Sequence, residues 1–187
     1  MVESAESTEE INNGERLYGI LSDRYKLAKE RNDALILRAQ GLLGFISIVN
    51  TFLVGFILAI ASKEELRNFL KSSCCYSLFK WAVILSFIFY LISILFTVST
   101  IMINKYMPVP QIRSKRFVKD VFENNVNLSL YGISMQFYDA TDFYNVQNKR
   151  KYTYLKIAIS SLTVAIIFTT LLGIITAIMI SMAEISV

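Results

Sequence analysis

The chain contains no histidine, only two prolines, and two cysteines that stand side by side at Cys74 and Cys75. Without histidine it lacks the usual general base at neutral pH and the commonest metal ligand. Adjacent cysteines rarely close a strain-free bridge and no C-x-x-C spacing is present, so they are read as ordinary residues and say nothing about redox compartment. G-x-S-x-G, H-E-x-x-H and a phosphate-cradling glycine loop are also missing. No catalytic residue, metal site or cofactor can be assigned, and the expectation is that the protein is not an enzyme.

The most consequential absence is charge. Residues 39–61, 81–103 and 157–183, runs of 23, 23 and 27, contain no Asp, Glu, Lys or Arg. A helix rises about 1.5 Å per residue and the hydrocarbon core of a bilayer is about 30 Å thick, so about 20 apolar residues suffice to cross it. The expected fold class is an all-α integral membrane protein with three transmembrane helices. What remains is divided among several short segments, which leaves no room for a large soluble domain. With no charge well inside any span, proton relays, voltage sensors and ion-coupled transport are disfavoured. Three spans without an inverted repeat also argue against a secondary transporter. The first 33 residues are polar, so the first span is expected to act as its own insertion signal.

Basic residues give the orientation. Arg16, Arg24, Lys26, Lys29, Arg31 and Arg38 precede the first run, and nine more lie between the second and third. The opposite side carries only Lys63, Arg67, Lys71 and Lys80. The positive-inside rule then places the N-terminus and the long second connection in the cytoplasm of a multi-pass inner-membrane protein. These clusters suit headgroups rather than nucleic acid.

Composition divides the remainder. Residues 1–14 are acidic and poor in apolar side chains and are expected to form a disordered tail. Residues 15–38 carry Leu17, Ile20, Leu21, Leu27 and Ala28 at helical spacing and predict a cytoplasmic stalk helix that runs into the first span. Residues 62–80 form a short external connection, either a helix lying on the outer leaflet or a plain polar loop. Pro108 and Pro110 turn the chain after the second span. Within residues 104–156, the basic amphipathic stretch with Arg113, Lys115, Arg116 and Lys119 suits the inner membrane surface or a docked partner. Lys149, Arg150 and Lys151 are expected in the same role. Neither glycine nor proline occurs between Ile133 and Leu172, which predicts a second stalk helix continuous with the third span; residues 184–187 are an external tail.

Each span also has one small or hydroxylated face. The first aligns Gln40, Gly44, Ser47, Thr51 and Gly55 with Asn50 at the edge; the second aligns Ser86, Tyr90, Ser93 and Thr97; the third aligns Thr169, Gly173 and Thr176. Lipid tails offer such faces nothing, so they either pack helices within the protomer or line a pore between protomers. Asn50 lies at the midpoint of the first span, where an unpaired amide is costly.

Two segments carry a family resemblance: residues 24–49, RYKLAKERNDALILRAQGLLGFISIV, and residues 148–160, NKRKYTYLKIAIS. They resemble the small prokaryotic SLATT and Pycsar-effector membrane proteins, in which a charged helix enters the first span and a Lys-rich helix enters the last. The third span departs from the usual two-span SLATT hairpin. The resemblance implies an oligomeric effector that disrupts the membrane in antiviral defence, triggered by a cytoplasmic sensor protein or a nucleotide signal. The alternative expectation is a non-conducting anchor that holds a soluble partner on its cytoplasmic helices.

Overall fold

The computed structural model describes residues 2–62, 76–103 and 126–185. Over them the protein is all-helical, with α1 at Val2–Ser62, α2 at Tyr76–Met102 and α3 at Val126–Ile185. All three helices contain stretches long and apolar enough to cross a membrane. The fold class read from the charge-free runs therefore holds at the level of three apolar helices. α1 includes residues 2–14, which composition assigned to a tail. Acidic residues in a first turn suit the positive end of the helix dipole and favour helix there. α2 likewise begins at Tyr76, inside the expected external connection.

The chain divides into two compact units, Met1–Ile36 with Ile103–Lys151, and Leu37–Met102 with Tyr152–Val187. α1 and α3 each contribute to both.

In the first unit α1 and α3 pair along a seam of Leu21, Tyr25, Ala28, Asn32 and Leu35 against Ile133, Phe137, Ala140, Tyr144, Gln147 and Lys151, all buried. The spacings alternate between three and four, the 3.5-residue repeat of a left-handed coiled coil. Tyr18 meets Phe137 edge-on, Tyr25 meets Tyr144 in the same manner, and Asn32 meets Lys151. Numbers rise together along the two helices, so the pair is parallel. Each of these partners is 119 residues from the other, a whole number of heptads, so the same heptad positions face each other in layers. Of the apolar residues at helical spacing, Leu21 and Ala28 are buried, whereas Leu17, Ile20 and Leu27 are exposed. Helical period 3.6 and heptad period 3.5 part company over several turns, and the tyrosines and Asn32 complete the seam that the leucines alone do not reveal.

In the second unit the α1 segment buries Ala39, Ile46, Leu53 and Ile60, one residue every seven. Ile46 and Leu53 share a core with Ala82 and Tyr90 of α2 and with Leu162, Ala165 and Leu172 of α3. Phe89 stacks on Phe168 and Phe96 meets Tyr154, so numbers rise on α2 as they fall on α3 and these two helices run antiparallel. Phe52, Leu58, Trp81, Leu91 and Ile167, each more than half exposed, form an apolar exterior. An exterior of this kind is what a lipid-facing bundle presents.

Candidate functional site

The three polar stripes of the spans meet three different fates. On α2, Ala82, Ser86, Tyr90, Ser93, Thr97 and Thr100 are all buried. Small side chains let α2 approach α3 closely enough for Ser93 Oγ to donate to the carbonyl of Ala158 at 2.8 Å. The Tyr90 hydroxyl lies 3.2 Å from Thr169 Oγ1. The α2 stripe is therefore a packing face of the protomer. On α3, Thr176 is buried and Thr169 is half-buried, while Gly173 is exposed.

On α1 the stripe does the opposite. Gln40, Gly44, Ser47, Thr51 and Gly55 are all exposed. They fall on the side of α1 away from the seam of Ala39, Ile46, Leu53 and Ile60. A Cβ added at Gly44 or Gly55 would meet nothing within 4 Å, so nothing in the protomer requires glycine at these positions.

Most of the membrane hydroxyls are satisfied by their own helix. Ser47 donates to the Leu43 carbonyl, Thr51 to that of Ser47, Thr97 to that of Ser93 and Thr176 to that of Leu172, at 2.7–2.9 Å. Back-bonding of this kind to a carbonyl four residues earlier removes any need for a partner helix or water. Two groups remain. Asn50 is half-buried and its Oδ1 is buried without a hydrogen-bond donor, and the buried Ser86 hydroxyl also has none. An amide oxygen cannot be served by the carbonyl of its own helix, because both are acceptors. Asn50 is thus the polar group of the α1 span that the protomer leaves incomplete.

The first unit carries a polar layer that sequence reading placed elsewhere. Lys149 and Arg150 are exposed, but Lys151, expected in the same surface role, is 0% exposed and faces the seam instead. The heptad phase of α3 turns it into the seam. Its ammonium donates to Asn32 Oδ1 at 2.7 Å, and Asn32, 3% exposed, reaches back 3.4 Å from Nδ2 to the Asp33 carboxylate. Beside them Asn148 Nδ2 donates to the Ala28 carbonyl at 2.8 Å. Burial lowers the pKa of Lys151 from its ordinary 10.5, and the nearby Asp33 carboxylate offsets part of that shift. A polar pair at one heptad layer fixes register at a cost in stability. The signal for it was present in the sequence: Asn32 and Lys151 sit where the seven-residue spacing demands apolar side chains.

The rest of the expected sites fall outside this geometry. Arg113, Lys115, Arg116 and Lys119, and Cys74 and Cys75, lie outside the described residues. Among the described residues no group of His, Cys, Asp and Glu is placed to hold a metal ion. Comparison with protein-family models, with curated proteins and with solved structures finds no match to the chain.

Proposed function

We propose that the protein is a homo-oligomeric effector of the inner membrane, with its N-terminus in the cytoplasm, that permeabilises the membrane on a cytoplasmic signal in anti-phage defence. The observation that carries this reading is the outward polar face of α1 with Asn50 at its edge. α2 buries Ser86, Ser93, Thr97 and Thr100, and α3 buries Ser161 and Thr176 while Ser160, Thr163 and Thr170 stay exposed. In this reading a polar path through the membrane is lined chiefly by the α1 faces of several copies. Asn50 Oδ1 is shielded within the protomer, so it meets water or its own copies only when α1 rotates toward the shared axis, which then supplies the missing donor.

The signal acts on the paired stalks of the first unit. Their seam includes the costly Asn32–Lys151 layer, so an alternative pairing lies closer in energy than it would for an all-apolar seam. α1 and α3 are each continuous from one unit into the other, which gives a change in pairing a route to the spans. A sensor protein or nucleotide shifts that equilibrium only by its differential affinity for the two states.

The test is the mass of the purified protein in nanodiscs, followed by ion flux in liposomes. Four or more copies per disc and a flux lost in Asn50→Leu, with insertion intact, are the expected results. A monomer or dimer, or an unchanged flux, overturns the reading.

A second reading has an observation of its own. A groove of about 390 Å³ in the first unit is bordered by Arg24, Arg31, Tyr138, Asp142 and Asn145, a polar surface suited to a soluble protein partner. A stoichiometric partner that survives extraction, with no flux in its presence, would make the protein an anchor.

A further inference from the structure

A second groove, of about 510 Å³, opens between α1 and α3 within the membrane unit. Arg38, Lys156, Tyr152 and Ser160 supply its polar groups, and Gly41, Phe45, Leu155 and Ile159 its apolar wall. Arg38 and Lys156 are the last charged residues before the charge-free runs that begin at residues 39 and 157. The charged end of the groove is therefore at the membrane surface. Phe45 lies seven residues beyond Arg38, about 10 Å further along the helix, where acyl methylenes begin. Among the described residues no carboxylate lines the groove, and its two cations find no counter-charge among them.

We infer that this groove is a binding site for one anionic phospholipid. The headgroup phosphate sits between the Arg38 guanidinium and the Lys156 ammonium, and one acyl chain lies along Gly41, Phe45 and Ile159. A guanidinium offers paired donors that match phosphate oxygens, and lysine adds a point charge. The hydroxyls of Tyr152 and Ser160 provide neutral donors for the remaining headgroup oxygens. Gly41 gives the chain its space: a Cβ built there meets nothing within 4 Å. A side chain can therefore start from this position without a clash at its first atom. The two long helices that border the site are the ones that also form the first unit, so a bound lipid clasps α1 to α3 where they enter the bilayer.

The site depends on the chain crossing a membrane and not on a pore. Loss of the flux described above leaves it standing, whereas loss of lipid preference leaves the pore reading untouched. The experiment is native mass spectrometry of the purified full chain titrated with phosphatidylglycerol and, separately, with phosphatidylcholine. The wild-type protein is expected to prefer phosphatidylglycerol by on the order of tenfold or more, as two basic contacts at a membrane surface predict. Arg38→Gln with Lys156→Gln should bring the two lipids to equal affinity. Gly41→Phe should weaken both, because it fills the acyl channel and leaves the charges in place. Unfolding midpoints of the variants in phosphatidylcholine nanodiscs verify that they fold. An undiminished preference in the double variant, no weakening in Gly41→Phe, or full displacement of phosphatidylglycerol by millimolar inorganic phosphate would each overturn the inference.

Discussion

The two units use one seven-residue spacing in two solvents, and they fill it differently. The first unit, whose exterior is charged, builds its seam from Leu21, Tyr25, Phe137 and Tyr144 and tolerates a buried Asn32 and Lys151. The membrane unit sets Ala39, Ala158 and Ala165 beside Ile46, Leu53, Leu162 and Leu172 on its seams, much as the first unit sets Ala28 and Ala140 beside its tyrosines, but it covers its exterior with Phe, Leu and Ile. In water, removing large apolar side chains from solvent drives pairing, so bulk at the seam is rewarded. In lipid that driving force vanishes between helices, and close approach of backbones with good packing takes its place. The exteriors, charged on the first unit and apolar on the membrane unit, separate the two more sharply than the seams do.

The largest effect that tests this contrast is a matched pair of truncations. Phe137→Ala in the first unit should lose about 3–5 kcal/mol, because it forfeits both transfer energy and packing. Leu53→Ala in the membrane unit, 1% exposed in the native protein, should lose about half as much or less, since only packing is forfeited. Hydrogen exchange in nanodiscs, which reads the two units separately, gives both losses. Equal losses would show that packing alone holds both seams, and the solvent argument would be wrong.

The Asn32–Lys151 layer comes next. Because burial lowers the folded pKa of Lys151, the unfolded chain holds a proton that the folded chain has released throughout the window from that lowered value up to the ordinary 10.5. Stability of the first unit should therefore rise with pH across the window and level off above it. Replacing both partners, Asn32→Leu with Lys151→Met, should abolish that rise and stabilise the unit by about 1–4 kcal/mol at neutral pH. The single variant Asn32→Leu should destabilise it, because the ammonium is left without its acceptor. A double variant with an unaltered pH profile would mean that the titration belongs to another group. A stabilised double variant that also loses its defined copy number would identify the layer as the register lock of the assembly.

The same contrasts separate what is local in the sequence from what depends on neighbouring helices. Charge-free length is enough for three apolar helices, because a span needs only composition and extent, and both are local properties. That α2 has a small and polar face is legible for the same reason, since its residues share one side of a single helix, but the sequence leaves open whether that face packs or lines a pore. The exposure of the matching face on α1 is not legible, since which face a helix buries depends on its neighbours. The sequence alone puts Lys151 on the surface, because the adjacent Lys149 and Arg150 suggest a basic cluster. The heptad phase of α3 turns it inward, and the register against α1, a separation of 119 residues, sets it on Asn32.

The smallest expected effect probes the hydroxyls. Ser93 donates across to α3, whereas Thr97 donates only to its own helix at the Ser93 carbonyl. Interhelical hydrogen bonds in membranes average about 0.6 kcal/mol, so Ser93→Ala should cost roughly that. Thr97→Val keeps the shape and removes a back-bond that merely competes with the helix, and should change stability by less than about 0.5 kcal/mol. Unfolding in mixed micelles resolves a difference of this size when both variants are measured against the wild type. If Thr97→Val costs the more of the two, its hydroxyl has a partner beyond its own helix. Because Thr97 is fully buried, that partner would have to reach it through a rearranged bundle, and the α2 face would return as a candidate lining of the pore.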